Sequence, residues 1–425
     1  MDYQQSLEYV HSLERFGSVL GLARIEKLLA FADNPHKNGK FIHIAGTNGK
    51  GSTATLTSRV LTESGYKTGL FTSPFVVNFR ERFMIDGKMI SEQEFANIAS
   101  KLRPYVDKMA ANGEQITEFE FITAVSFCYF SDNSCDFVCL EVGLGGEFDA
   151  TNVIDTPLLS VITAISLDHT NILGDTYELV AKAKAGIIKP NGTTVCYPEQ
   201  DEAVLGVIME RCATMNNQLI MPNIGAVSVS FETSHDFPFL QISFSYDDNT
   251  YELSLIGQHQ VYNAVTVLSV IAELKKRGYS IPTEKIQQAF KSTYLPARFE
   301  LFSENPTVIV DGAHNEQGAL ALTRILSKTS RKEVAVIAMM SDKDYRFAIK
   351  IIAACCDAVV ATKALNPRSL SAEEIAKVAK TVCDDVTVSQ SVTSALEKAK
   401  EIAGKDGVVV VCGSLFLAGE VLNSK

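Results

Sequence analysis

Continuous apolar runs alternate with amphipathic segments along most of the chain, which is the pattern of alternating strands and helices. The runs at 41–45, 136–142 and 157–165 lack polar alternation, as expected of strands buried on both faces of a parallel sheet. Helical spacing is found at 3–31, 91–110 and 117–130, the last with a capping pattern at Thr117–Glu120. This rhythm continues to about residue 220 and predicts a doubly wound α/β domain.

The pattern changes between about 224 and 256, where short alternating strands predict an antiparallel set at the edge of the first domain. We expect these strands at 225–231, 239–244 and 251–255, with a turn at 247–249. Helices are predicted at 259–277 and 283–292, and the pattern breaks after them at 294–298. The β/α rhythm then restarts, with strands near 307–311, 334–339, 357–361, 385–388 and 407–412.

The predicted fold is a P-loop doubly wound N-terminal domain with a small antiparallel edge sheet, followed by a smaller Rossmann-like α/β domain. We place the first domain at 1–294, the linker at 295–300 and the C-terminal domain at 301–425, with a cleft between the two lobes. A length of 425 residues agrees with more than one core. No repeat of the solenoid or propeller kind is present.

Composition narrows the class of protein. The net charge of -11 argues against a general affinity for nucleic acid or anionic membranes. Nine cysteines without C-x-x-C pairs suggest reduced thiols, and no apolar run reaches the ~20 residues of a membrane span. The first residues lack the pattern of a signal peptide. We therefore expect a cytoplasmic protein.

The segment 46–53 has the features of a phosphate-binding junction between a strand, a glycine-rich loop and a helix. Its glycines allow close backbone approach, the helix start offers N–H groups, and Lys50 adds a positive charge. Ser52 or Thr53 would place a hydroxyl near a metal ion. The usual G-x-x-x-x-G-K-[ST] spacing is not met, because Ile44 replaces its first glycine and Gly51 follows the lysine. A glycine-rich turn without a ligand is the alternative.

Other candidate groups follow predicted strands. Glu141 ends an apolar strand, and Asp168 and His169 follow the next one, so all three would reach one sheet edge if these strands are parallel neighbours. An oxygen ligand such as the Glu141 carboxylate suits Mg²⁺, with a solvated carboxylate as the alternative. His169 is a candidate metal ligand, with a structural histidine as the alternative. Asp311 closes a strand before His314 and Asn315, where a plain turn is the alternative. On composition alone, Lys184 is a charge on an outer helix face and Arg298 a surface arginine.

The string Gly46-Thr-Asn-Gly-Lys-Gly-Ser52 closely resembles the P-loop of the folylpolyglutamate and dihydrofolate synthases, relatives of the Mur ligases. Further motifs of that family occur in the same order between about residues 17 and 420. The resemblance implies that the P-loop residues hold ATP phosphates: Gly46, Thr47, Asn48, Gly49, Lys50, Gly51 and Ser52. It also implies ATP contacts from Asn263, Arg298, Asp311 and His314.

The resemblance further implies two Mg²⁺ ions, with Ser73, Glu141 and His169 as ligands. The lysine of the K-A-G-I motif, here Lys184, is typically carbamylated by CO₂ in that family and becomes a carboxylate-like metal ligand. This replaces the outer-face interpretation of Lys184. With Lys50, Arg298 and His314, the residues His169 and Lys184 form our predicted catalytic set.

The predicted substrate residues are Gly21, Leu22, Arg24, Phe75, Arg82, Asp149, Ala150 and Thr151. Of these, the stretches 21–24 and 149–151 match the pterin-side pocket of the family. Three departures from the family pattern stand out: S-P-H-L becomes Ser73-Pro-Phe-Val76, P-G-R becomes Pro296-Ala-Arg298, and Glu316 replaces a proline. Ala183 also stands where glutamate is common before the lysine. The Phe75 change puts substrate details in question more than ATP binding.

The resemblance implies an ATP-dependent ligase of one-carbon metabolism that joins L-glutamate to a folate, to dihydropteroate, or to both, through an acyl phosphate. We expect a monomer acting on small molecules. A Mur-type peptidoglycan ligase is the alternative enzyme, but those proteins usually carry a domain of about a hundred residues before the P-loop. A nucleotide-gated binding protein is the alternative outside enzymes, and the predicted metal set argues against it.

Overall fold

The computed structural model describes residues 1–13, 21–232, 241–328, 331–342 and 344–424. They form two compact units. Unit 1 comprises Met1–Phe75, Phe79–Val227 and Tyr262–Thr293, and unit 2 comprises Val76–Asn78, Ser228–Val261 and Tyr294–Lys425. The three-stranded sheet expected at the edge of the first domain is grouped with unit 2. A division of function between 1–294 and 301–425 stays a prediction.

Unit 1 is built on an eight-stranded sheet in the order β4-β3-β2-β5-β1-β6-β7-β8. Its strands are β1 (Phe41–Ala45), β2 (Thr68–Phe71), β3 (Phe83–Ile85), β4 (Lys88–Met89), β5 (Phe137–Glu141), β6 (Leu159–Ile162), β7 (Thr193–Cys196) and β8 (Gln218–Ile220). All neighbours pair in parallel except β2 with β3 and β3 with β4. The predicted parallel sheet is confirmed, and β3 and β4 form its antiparallel edge.

The strand order fixes where unit 1 can bind a ligand. β1 lies between β5 and β6, and the chain passes from β1 to β2 on one side but from β5 to β6 on the other. The carboxyl end of β1 is therefore a topological switch point, where loops diverge and leave a crevice. Residues 46–49 lie at this point.

Helices cover both faces of the unit 1 sheet, and its central strands are buried throughout. They are α1 (Tyr3–Ser12), α2 (Ala23–Phe31), α3 (Lys50–Glu63), α4 (Glu92–Ala111), α5 (Glu118–Asp132), α6 (Thr170–Leu173), α7 (Tyr177–Ala185), α8 (Glu202–Thr214), α9 (Gln258–Lys276, in unit 1 from Tyr262) and α10 (Thr283–Ser292). The predicted capping box of α5 is confirmed: Glu120 N–H donates to Thr117 Oγ1, and the Glu120 side chain accepts from Thr117 N–H. No helix among the described residues is long and apolar enough to cross a membrane.

Unit 2 contains two sheets. The smaller, antiparallel sheet consists of β9 (Ser228–Glu232), β10 (Gln241–Tyr246) and β11 (Asn249–Leu253). Asp247 and Asp248 form its turn in the left-handed conformation, with φ of 47° and 60°, so Tyr246 pairs with Asn249. The predicted strand at 251–255 therefore begins two residues early, while residues 239 and 240 of the predicted middle strand lie outside the described residues.

The larger sheet of unit 2 has the order β12-β13-β17-β14-β15-β16 and is parallel except for β12. Its strands are β12 (Glu300–Glu304), β13 (Thr307–Val310), β14 (Glu333–Ile337), β15 (Ala358–Ala361), β16 (Val386–Val388) and β17 (Val408–Cys412). Its helices are α11 (Glu316–Leu326), α12 (Tyr345–Cys355), α13 (Ala372–Ala379), α14 (Val392–Ala403) and α15 (Leu415–Leu422). The five predicted strands are confirmed, but β12 was missed because its polar sequence lacks a core-strand pattern.

A buried carboxylate at the start of β14 makes the stability of the protein depend on pH. Glu333 is 5% exposed, and burial, reinforced by Asp357, raises its pKa from 4.5 to about 7, although the Cys355 thiol donates to it. The pKa of Glu333 is higher in the folded than in the unfolded protein. Its contribution to the free energy of unfolding is therefore fully present below about pH 4.5 and is lost as the pH rises through about 7.

We predict that Glu333→Gln raises the free energy of unfolding at pH 8 by about 1–3 kcal/mol, with a much smaller gain at pH 5. Urea denaturation at the two pH values measures the difference. Glu304→Gln, at an exposed position of β12, is the matched control and should show no such pH dependence. An equal gain at both pH values would contradict the assignment.

Candidate functional site

The loop between β1 and α3 is shaped by two glycines. Gly49 precedes α3 with φ of 83°, a left-handed conformation that side chains disfavour. A Cβ on Gly49 would overlap the amide of Asn263 from α9, and one on Gly46 would overlap the Thr163 side chain. The loop therefore packs too closely for side chains at these positions, as expected of a backbone cradle for an anion.

Two backbone N–H groups of this loop form hydrogen bonds within the protein. Thr47 N–H and Asn48 N–H both donate to the carbonyl of Ala164, at 2.8 and 3.1 Å, and the Thr47 hydroxyl donates to Ser166 O at 2.9 Å. These bonds fasten the loop to the segment that follows β6. An anion at this loop would face the first turn of α3, where the helix dipole favours negative charge.

Glu141 is the last residue of β5, and its side chain lies beside the start of α3. The side chain therefore reaches the edge of the sheet, as predicted. It is buried, and its Oε2 accepts a hydrogen bond from Ser73 N–H at 3.0 Å. A Cβ built on Gly51 would stand 3.6 Å from the same oxygen. The structure thus brings the predicted ligands Ser73 and Glu141 together beside the first turn of α3. The negative carboxylate there interacts favourably with the positive end of the helix dipole.

Lys184 is buried, contrary to the interpretation from composition alone. It lies in the last turn of α7 with 5% of its surface exposed, and its Nζ donates to Gly46 O at 2.8 Å. This contact joins α7 to the start of the glycine-rich loop between β1 and α3. Lys182, two residues earlier on the same helix, is exposed.

Asp168 and His169 reach the same edge of the sheet, but not from a strand next to that of Glu141. β1 separates β5 from β6, so the condition of neighbouring strands is not met. His169 has φ of 52° and caps α6, and its backbone N–H donates to Asp168 Oδ1 at 2.7 Å. The His169 side chain is 37% exposed.

The predicted substrate residues form three local groups in unit 1. Asp149 is buried, and its carboxylate accepts from Thr151 N–H at 3.0 Å and from Leu144 N–H at 2.8 Å. Burial raises the pKa of Asp149, and these hydrogen bonds oppose the rise. Ala150 starts a 3₁₀ turn over Ala150–Val153.

In the second group, the Arg82 guanidinium lies 5.2 Å from the centroid of the Phe75 ring and 5.7 Å from that of Phe79. Burial lowers the pKa of Arg82 to about 10, which leaves the guanidinium charged at neutral pH. The structure thus brings Phe75 and Arg82 together as a cation–aromatic pair.

The remaining substrate candidates lie at the start of α2. Gly21 has φ of 129° and Leu22 is the N-cap residue. Arg24 makes a two-pronged ion pair with buried Glu120, at 2.9 and 3.3 Å. The Nη2 and Nε groups of Arg24 thus bind the same Glu120 carboxylate that takes part in the capping box of α5.

In unit 2, Asp311 organises the turn that carries Arg298. Its two carboxylate oxygens accept from Phe299 N–H and Ala313 N–H, each at 2.8 Å. Burial raises the pKa of Asp311, and the Arg298 guanidinium opposes the rise. This carboxylate is thus committed to backbone donors.

The residues on either side of Arg298 have left-handed backbones, with φ of 55° at Ala297 and 50° at Phe299. Glycine adopts this conformation at no cost, whereas alanine does not, so Ala297 carries backbone strain that the glycine of a P-G-R motif would avoid. His314 Nδ1 donates to Gly312 O at 2.8 Å. Asn315 Oδ1 accepts from Gly318 N–H at 2.9 Å, so Asn315 is the N-cap residue of α11.

Sequence reasoning missed the groups that hold the loop in place. Thr163, Ala164 and Ser166 follow β6 and contact residues 46–48, yet the sequence offers only an apolar run that ends in small residues. Among the described residues, no cluster of three or more His, Cys, Asp or Glu side chains could hold a metal ion by itself.

Two family models match the chain. The Mur ligase middle domain covers residues 44–271, and the Mur ligase glutamate ligase domain covers residues 297–415. The first match contains the glycine-rich loop and the predicted metal ligands of unit 1. The second contains Arg298, Asp311 and His314.

Similar proteins match over nearly the whole chain. The dihydrofolate synthase/folylpolyglutamate synthase of Bacillus subtilis is 33% identical over 99% of this chain and 98% of its own length. Folylpolyglutamate synthase of Mycobacterium tuberculosis, solved with ADP and AMPPCP, aligns with a TM-score of 0.88 and 30% identity over 98% of both chains. Escherichia coli FolC, solved with DHPP and ADP, gives a TM-score of 0.86 and 29% identity over 100% of this chain and 97% of its own.

The matches span both units, and they agree with the switch-point loop and with the motif order along the chain. The Mur-type peptidoglycan ligase is thereby the weaker alternative. The chain belongs to the folylpolyglutamate synthase/dihydrofolate synthase family of the Mur ligases and is an ATP-dependent ligase.

Proposed function

We propose that the protein joins the amino group of L-glutamate to a carboxylate of a folate, and also to dihydropteroate, at the expense of ATP. The relatives named for both activities support this choice of substrates, and so does the E. coli structure that holds DHPP with ADP. The observation that carries the proposal is the convergence of Ser73 and Glu141 on the first turn of α3 at the switch point. The protein acts as a cytoplasmic monomer on small molecules, without nucleic acid or membrane.

The reaction needs an activated carboxylate, because oxide is a poor leaving group. Transfer of the γ-phosphoryl group of ATP to a carboxylate oxygen gives an acyl phosphate, which the neutral amine of glutamate attacks to release phosphate. Catalysis of the first step is mainly positioning and charge neutralisation. Lys50 and the N–H groups of α3 supply positive charge to the phosphates, and the packed glycines at 46 and 49 let the backbone reach them.

The donors in unit 1 fit Mg²⁺, which prefers oxygen ligands. Ser73 and Glu141 already lie together at the helix start, Lys184 lies against the loop at Gly46, and His169 reaches the same sheet edge. We propose that these four residues hold two ions, with Lys184 as a carbamate formed from CO₂. Bound Mg²⁺ would neutralise the phosphate charge that develops during transfer.

Carbamylation explains why a lysine is buried at this position. As an ammonium, Lys184 donates to the Gly46 carbonyl; as a carbamate it would exchange that bond for two anionic oxygens. The absence of a cluster of ordinary metal-binding side chains in the described residues agrees with a need for such an extra oxygen ligand.

For unit 2, the proposal assigns Arg298 and His314 to phosphate recognition and Asp311 to holding the Arg298 turn. Asn263 completes the ATP contacts from unit 1, where it packs against Gly49. Residues 301–425 take the glutamate side of the reaction, and 1–294 the ATP and folate side, with 295–300 as the linker. The acceptor contacts are those at 21–24, 75, 82 and 149–151.

An ADP-release assay with Mg²⁺ and bicarbonate tests the substrates. We expect release that requires both glutamate and a pteroate-type acceptor, with dihydropteroate and reduced folates run in parallel. Turnover with a UDP-muramoyl acceptor but none with pteroates would instead favour a peptidoglycan ligase. Nucleotide binding without turnover on either panel would favour a passive binding protein.

Replacing Lys184 with alanine should lower kcat by about 100-fold, because a metal ligand is lost. Short carboxylic acids added to the assay should restore part of the activity by standing in for the carbamate. Lys182→Ala, on the exposed side of the same helix, should remain fully active. Full activity of Lys184→Ala in bicarbonate-free buffer would contradict the carbamate role.

A further inference from the structure

A buried histidine in the central strand of unit 1 belongs to none of the groups assigned above. His43 lies in β1, two residues before its end, and is fully buried between β5 and β6. Its Nε2 lies 2.8 Å from the Thr151 hydroxyl oxygen. Thr151 belongs to the turn that the proposed function assigns to the acceptor.

The directions of the hydrogen bonds that link His43, Thr151 and Asp149 follow from the donors and acceptors on these side chains. Both Asp149 oxygens accept from backbone N–H groups, and Oδ1 also accepts the Thr151 hydroxyl proton at 2.5 Å. The Thr151 oxygen can then only accept from His43, so His43 must carry its proton on Nε2. His43 Nδ1 has no hydrogen-bond partner among the described residues, which agrees with an unprotonated nitrogen.

The environment keeps His43 in this neutral form. Burial lowers its pKa to about 3, and Lys189 adds to this effect. A protonated ring would place a second N–H at Nδ1, where no acceptor was found in the described residues. His43 is thus a fixed donor at neutral pH rather than a proton carrier.

This chain of bonds connects three segments of the site. His43 belongs to the strand that enters the loop at Gly46, Thr151 and Asp149 belong to the acceptor-side turn, and Leu144 belongs to the loop after Glu141. On the basis of the proposed function, we propose that His43 is a positioning residue that sets the acceptor-side turn relative to the phosphate-binding strand through its Nε2–H donor.

The alternative is a histidine that merely fills the core, and His36 provides a matched control. His36 is also buried in unit 1, its Nδ1 likewise lacks a partner in the described residues, and it packs against Phe127 at a centroid distance of 5.7 Å. The Phe127 ring belongs to α5 and not to the acceptor-side turn. His36→Leu should therefore lower stability without changing substrate affinity.

Steady-state kinetics of three variants separate the two roles. His43→Leu removes the donor at similar size and should raise the KM for the pteroate acceptor about tenfold, with the KM for ATP changed less than about twofold. His43→Gln, whose side-chain amide can donate from the position of Nε2, should restore the acceptor KM. An unchanged acceptor KM in folded His43→Leu, or an equal loss in the leucine and glutamine variants, would overturn the proposal.

The tautomer of His43 is a readout that does not depend on folding of a variant or on activity. Nitrogen-15 NMR of the histidine-labelled native protein should show His43 neutral, with its proton on Nε2. A proton on Nδ1 would overturn the proposal. Absence of acceptor-dependent ADP release by the native protein would refute the proposed function instead, and the tautomer would still test the bond to Thr151.

Discussion

Glu141→Gln is expected to lower kcat for ADP release by about 100-fold at saturating Mg²⁺. The substitution keeps the size of the side chain and an oxygen that can accept from Ser73 N–H, so the fold should be retained. It removes the negative charge beside the first turn of α3, where our account places a metal ligand. The loss should therefore appear in the metal-dependent step, with the affinity for ADP in metal-free buffer changed less than about twofold.

Glu147→Gln is the control for this prediction. Glu147 lies on the same loop after β5 but is exposed. Its substitution should leave both kcat and the Mg²⁺ dependence at native values. A Glu141→Gln enzyme with native kcat and native Mg²⁺ dependence would remove Glu141 from the site.

Gly49→Ala should lower kcat/KM for ATP by about 100-fold, because a displacement of about 1 Å in a binding loop can cost that much. The added Cβ overlaps the Asn263 amide, and the left-handed backbone of Gly49 disfavours any side chain. Either Asn263 or the loop must move, and both are proposed ATP contacts. Isothermal titration with AMPPCP separates loss of binding from loss of turnover.

Gly65→Ala isolates the effect of backbone strain. Gly65 follows α3 at its other end with φ of 90°, and a Cβ there meets nothing within 4 Å. This variant should lose about 1–2 kcal/mol of stability from its left-handed backbone and keep its kcat/KM for ATP. An equal loss of kcat/KM in both variants would mean that strain, and not the fit of the loop to Asn263, is the cause.

Long apolar or strongly periodic segments were predictable from the sequence because one physical signal dominates in each. The strand ending at Glu141 and the capped helix after Thr117 appear close to where the pattern placed them. The strand β12 and the start of β11 were not, since short polar strands gain their stability from pairing rather than from their own composition.

The candidate site was predictable in part, for a similar reason. Residues placed at strand ends, such as Glu141, come from local pattern and sheet topology together. The burial of Lys184 and the use of Thr47 N–H by Ala164 are long-range contacts that no spacing reveals. For Lys184 only the family resemblance pointed away from a surface charge.

Ala297 shows how a departure from the family can be understood only with the backbone in hand. The sequence showed alanine in place of glycine before Arg298, and the structure shows that this position is left-handed, with φ of 55°. The strain is held by the bonds of Asp311 to Phe299 N–H and of Gly312 N–H to Ala297 O. Strain maintained by its surroundings in this way is common at functional turns.

The most direct test of the central claim follows an oxygen atom from the acceptor carboxylate. A pteroate-type acceptor labelled with ¹⁸O in its carboxylate is incubated with the enzyme, ATP, Mg²⁺ and L-glutamate, and the released phosphate is analysed by ³¹P NMR. An acyl-phosphate ligase transfers one labelled oxygen to each phosphate formed. Glutamate-dependent phosphate that carries no ¹⁸O would contradict the account.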